Sequence, residues 1–182
     1  MSFNSDELKH AFPVNAGPDE NRNLNLGGAI QDPRVYLEND TFYNAVPDIT
    51  REIVGNIGTT GTWNIYYLMY IENTNGSVNL TDGKLLIYKQ PTNPNVSIRI
   101  GLAPQGINGT AGTIANRTTA PSGVSFTTTK IFGYPYPLTT PNSGALNGDE
   151  YFGLWTHISG PKGTASIPEI RHIIEMQFKR PV

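Results

Sequence analysis

The longest regular pattern in the chain runs from Asn64 to Asn73, where Ile65, Tyr67, Met69 and Ile71 alternate with Tyr66, Leu68 and Tyr70. A period of two predicts a strand, and because both of its faces are apolar or aromatic, the strand should be covered on both sides. Asn75-Gly76 then signals a hairpin turn returning through Val78 and Leu80, and Asp82-Gly83 a second turn into Lys84 to Lys89. Three consecutive antiparallel strands are the expectation. Farther on, Ile98, Ile100 and Leu102 share one face and Arg99 and Gly101 the other, which predicts a half-buried strand. Val124 to Thr128 and Tyr151 to Ser159, around Trp155, read as further strands. The segment from Ile170 to Phe178 fits two patterns: a helical stripe of Ile170, Ile173, Ile174 and Phe178, or the alternation Ile170, His172, Ile174, Met176, Phe178. Residue pattern alone leaves both open.

Between these strands the punctuation is dense. Gln105-Gly106, Asn108-Gly109, Ala111-Gly112 and Pro121-Ser122-Gly123 turn the backbone repeatedly without a helix, within Ser97 to Phe126, a stretch whose only ionisable side chains are Arg99 and Arg117. Such a segment suits a wall or contact surface better than acid-base chemistry. Short strands with frequent turns predict an all-β chain, a single antiparallel β-sandwich or jelly-roll-like domain over 34–182. Residues 1–33 read as an extended N-terminal arm. In it Phe3, Leu8 and Phe12 are apolar anchors among the breakers Pro13, Gly17, Pro18 and Gly27-Gly28, with room for a short helical turn over Ser5 to Ala11 capped by Ser5. Nothing inside the arm could bury those anchors, so they are candidate interface residues for a neighbouring subunit.

Short motifs along the chain resemble those of a family of small phage virion structural proteins of the capsid cement or decoration kind. Ile100-Gly101-Leu102, Asn108-Gly109-Thr110, Ile114-Ala115-Asn116 and Thr119-Ala120-Pro121 with Gly123, Val124 and Phe126 follow the family's order. Upstream, Leu26-Gly27-Gly28-Ala29 and the region from Tyr67 to Ile87 are similar to its early motifs; downstream, Gly153-Leu154-Trp155 is similar to its last central strand. The arm is longer than usual for the family, and the tail from Gly160 onward diverges from it; the family ends in a strand, which implies the strand reading for Ile170 to Phe178. The resemblance implies a non-enzymatic virion protein on the capsid exterior, made in the host cytoplasm, that stabilises the assembled shell. Its partners would be the major capsid protein or other virion proteins and further copies of itself, with a trimer at local threefold positions as one outcome. A neck, tail or baseplate component is the alternative within the virion.

Composition narrows the function classes. A size of 182 residues allows one domain with a real core, while 19 Gly and 14 Pro beside only 15% charged residues disfavour helices. The net charge of −2 lacks the basic excess that phosphate neutralisation needs, so nucleic acid is not an expected partner. There is no cysteine, hence no disulfide, thiolate nucleophile or Cys-based zinc site. Asp6, Glu7 and Lys9 sit where a signal peptide needs apolar residues, and no apolar run reaches membrane-spanning length, so no membrane partner is expected.

The candidates for chemistry are sparse. His10, His157 and His172 lack metal-ligand spacing, so no metal or other cofactor is expected. Gly160-Pro161-Lys162-Gly163-Thr164 lacks the glycine spacing of a phosphate loop, and Pro161 removes an N–H such a loop would use. It reads as a turn. Asp149-Glu150 and Asp48 with Glu52 are the carboxylates a glycosidase would need in pairs, yet at strand ends they read as caps or solvated groups. No Gly-x-Ser-x-Gly elbow is present. The loop Phe132-Gly133-Tyr134-Pro135-Tyr136-Pro137 sets stiff prolines beside amphipathic rings, which makes Tyr134 and Tyr136 candidate interface residues. A carbohydrate-binding adhesin using those tyrosines is the reading from a different class.

Overall fold

The computed structural model describes residues 8–14, 26–34, 61–89, 95–128, 138–162 and 173–179. Among the described residues, seven strands make two antiparallel sheets: β1 (Leu8–Ala11), β2 (Thr62–Asn73), β3 (Thr81–Lys89), β4 (Ser97–Ile107), β5 (Leu138–Thr139), β6 (Tyr151–Pro161) and β7 (Ile173–Lys179). One sheet has the order β1-β2-β6-β4, the other β5-β3-β7. The chain is all-β, as its pattern predicts, and the segment ending at Lys179 is a strand and not a helix.

The alternation in β2 sorts its side chains as the sequence implies. Ile65, Tyr67, Met69 and Ile71 enter a core shared with Leu85 and Ile87 of β3, Ile98 and Ile100 of β4, and Phe152, Leu154 and Ile158 of β6. Apolar faces of both sheets therefore meet in one cluster. Tyr66, Leu68 and Tyr70 point the other way, into a second cluster with Trp155, Ala103, Ala111 and Ile114. The four-stranded sheet is thus buried on both faces over its middle. Tyr67 is the polar intruder in the first cluster: burial pushes its hydroxyl's pKa up, against the smaller opposing effects of a hydrogen bond with the Thr156 side chain and the Arg117 charge.

Three expectations change. The turn at Asn75-Gly76 does not close a hairpin, because β2 and β3 belong to different sheets. Asn73 explains the corner: its side-chain Nδ2 donates to Val78 O (2.7 Å) and Leu146 O (3.2 Å), and its Oδ1 accepts from Asn75 N. The chain is led across to Leu80, which pairs with Leu146. Asp82-Gly83 is no turn but an irregularity inside β3, where Asp82 takes φ +54° and the register with β7 shifts. Val124 to Thr128 does not form a full strand; Thr127 exchanges two backbone hydrogen bonds with Ile100 at the edge of β4.

The arm needs a correction as well. Leu8 to Ala11 is neither a helical turn nor a free tail but β1, registered Leu8↔Asn73 to Ala11↔Tyr70 on β2. Leu8 and Phe12 join the main core, and Ala11 and Ile30 the second cluster. Apolar residues lacking local partners found them across the chain. Leu8 and Phe12, expected as interface residues, lie in the chain's own core. Phe3 lies outside the described residues.

Candidate functional site

The outer face of the four-stranded sheet holds the most varied chemistry. Register places its side chains in rows across β2, β6 and β4: Asn64–Ser159–Ser97, then Tyr66–His157–Arg99, Leu68–Trp155–Gly101, and Tyr70–Gly153. At one end these are polar; in the middle they are apolar and roofed by the long loop after β4 and by residues 26–30.

The roof is fastened at a few points. Tyr70 donates its hydroxyl hydrogen to Gly28 O and accepts from Ala111 N (2.9 Å), while Gly28 N donates to Ala111 O and Ile114 N to Leu26 O. Burial raises the Tyr70 pKa above its ordinary value, so the hydroxyl keeps the hydrogen it donates. Gly27, at φ +97°, sits so close that a Cβ would overlap Gly112 O. Gly101 serves the other side: a Cβ there would lie 2.6 Å from Val124 Cγ1 and 2.8 Å from Ser125 O, so only glycine lets the segment around Val124 settle against β4. Beyond the roof, Arg34 pairs with the buried Glu72 (Nε to Oε1, 3.1 Å) and lies over the Tyr151 ring.

At the polar end the Tyr66 and His157 rings stack, with centroids 4.5 Å apart and planes 10° from parallel, and Phe126 leans on both. Asn64 Oδ1 lies 2.9 Å from His157 Nε2; an amide oxygen only accepts, so Nε2 carries the hydrogen. Burial, followed by the nearby Arg99 charge, lowers the His157 pKa to about 4 and leaves the ring neutral at pH 7. Ser97 and Ser159 hydroxyls hydrogen-bond at 2.9 Å, and Arg99 is exposed.

The other sequence candidates take structural parts. Glu150 caps its own turn, accepting from Asn147 N (2.7 Å) and Asn147 Nδ2 (3.1 Å). Asp149, at φ +62°, occupies the same turn. His10 is half-buried on β1, and desolvation lowers its pKa to about 4. Gly160 packs under Trp63 and Lys162 N donates to Gly61 O, so Gly160 to Lys162 complete a strand end. Among the described residues, no three His, Cys, Asp or Glu side chains converge as a metal site would require, and no helix is long and apolar enough to cross a membrane. Tyr134, Tyr136, His172, Asp48 and Glu52 fall outside the described residues. What the sequence reading missed is the meeting of Asn64, Tyr66, Ser97, Arg99, His157 and Ser159. Period two puts each on an outward face, but only the β2–β6–β4 register brings them together.

Scans against protein-family models, curated proteins and solved structures each return no match.

Proposed function

We propose that this chain is a non-enzymatic virion structural protein, a capsid cement or decoration protein that adds to the assembled shell from outside. One observation carries the reading. The motifs that resemble the phage virion family are scattered from residue 26 to residue 155, yet in the fold several of them meet in one layer. Leu26 to Ala29 lies against Ala111 to Ile114, Gly101 receives Val124, and Trp155 and Tyr70 pack beneath. Residues that resemble a family piecemeal thus form a single packed unit, which supports a shared architecture rather than chance similarity of short strings.

The mechanism is mass action. A protein that binds the expanded shell and not its dissociated subunits stabilises the shell by its binding free energy, without catalysing anything. The major capsid protein is the partner this reading names, and further copies of the chain are the second.

Copy number tests it. Cement repeats with the shell lattice, so quantitative mass spectrometry of purified virions should count this chain in the hundreds per particle, in a fixed ratio to the major capsid protein. A handful of copies would move it to the neck, tail or baseplate. Absence from the particle would end the virion reading.

A further inference from the structure

The polar end of the outer sheet face has hydrogen-bond donors left over. Asn64 spends its Oδ1 on His157, which leaves the two Nδ2 hydrogens. The Ser97–Ser159 pair uses one hydroxyl hydrogen between its members and leaves the other. Arg99, exposed and one row away, has five guanidinium hydrogens, and its side chain forms no hydrogen bond among the described residues. No carboxylate stands in these two rows to answer them. Neighbouring strands are about 4.8 Å apart, so these donors are set across about 10 Å on three strands, a spread that the long Arg99 side chain can close over one oxyanion.

We propose that this shelf, Asn64, Ser97, Ser159 and Arg99 at the open end of the β2–β6–β4 face, binds a carboxylate, and that the carboxylate is an Asp or Glu side chain of a protein partner. Arg99 takes the charge through its planar fork, and Asn64 with the serine pair fixes its orientation. An acidic sugar would offer the same carboxylate, but a pyranose also needs an open aromatic face to lie on. Here the Tyr66 ring is spent on His157 and Phe126, and it is only 9% exposed. The shelf goes beyond the virion reading, since it concerns the isolated chain.

Titration of the isotope-labelled full-length chain with N-acetylglutamate N-methylamide tests it by nuclear magnetic resonance. Saturable shifts are expected at the Arg99 Nε–H and the Asn64 side-chain amide. The His157 pKa should rise from about 4, because the bound anion offsets the Arg99 charge beside it. R99Q, at an exposed position, should weaken binding about tenfold or more, while K179Q on the other sheet should leave it unchanged. The glutamine analogue should give no saturable shift. Equal titration of R99Q and the parent chain, shifts that never saturate, or equal binding of the glutamine analogue would overturn the site. Tighter binding of D-glucuronate than of the glutamate derivative would overturn the protein partner in favour of an acidic saccharide. Virion copy number bears on none of these outcomes, so failure of the virion reading and failure of the shelf remain separable.

Discussion

Tyr70 joins three segments that are far apart in sequence, because one hydroxyl serves Gly28 O as donor and Ala111 N as acceptor inside a buried layer. Tyr70→Phe keeps the ring and strands both backbone groups. The expected cost is about 1–3 kcal/mol in urea unfolding, with faster hydrogen exchange at the Ala111 amide. Unchanged exchange there would mean that the roof is held without the latch. The two desolvated histidines make a separate prediction about pH. Burial keeps His10 and His157 at about 4, against 6.5 in the unfolded chain, so the unfolded state binds protons that the folded state refuses. Their contribution to stability is complete above pH 6.5 and drains away as pH falls to about 4. The urea midpoint should therefore drop between pH 7 and pH 4.5, and less steeply in His157→Gln. The Asp82 carboxyl, held below its ordinary value by Lys179, changes its contribution beneath that window and leaves the test clean. A flat midpoint across the window would contradict neutral desolvated imidazoles.

The strands themselves were largely legible in the sequence, because alternation in β2, β4 and β6 reports two-sided burial directly: Tyr66, Leu68 and Tyr70 on one side, Ile65, Tyr67 and Met69 on the other. Pairing was not legible. Asn75-Gly76 carries the residues of a hairpin turn, but the deciding group is the buried Asn73 amide, whose bonds to Val78 O and Leu146 O need Leu146, 73 residues away in sequence. The shelf was hidden for the same reason, since Asn64, His157 and Arg99 become neighbours only through register. β1 was misread because four residues between breakers carry too little pattern to separate a strand from a tail. Its placement on β2 leads to a definite expectation for truncation. Deleting residues 1–14 removes Leu8 and Phe12 from the main core, at about 1.5–3 kcal/mol for each buried side chain, against a total stability of about 5–15 kcal/mol. The truncated chain should be strongly destabilised or unfolded by circular dichroism and urea titration, whereas deleting residues 1–7 spares both side chains. A full-strength domain without residues 1–14 would show that β1 contributes no folding energy.

The four-stranded sheet is covered on both faces over its middle by the chain's own residues, which bears on how the chain would act in a particle. On the proposed reading it folds first and then adds to a shell already built, so its effect on that shell depends on free concentration. For each site, stabilisation grows as the logarithm of concentration over the dissociation constant, reaching about 2.7 kcal/mol at a hundredfold excess. Particles lacking the protein should therefore break at a lower temperature than complete ones. Purified chain added back should raise the temperature of genome release in a saturable way, with the plateau reached when mass spectrometry finds the sites full. R99E should shift that curve to higher protein concentration if the shelf is the contact with the shell, and leave it in place if another surface is used. Full occupancy with no rise in the release temperature would make the chain a decoration that the shell carries without being strengthened by it.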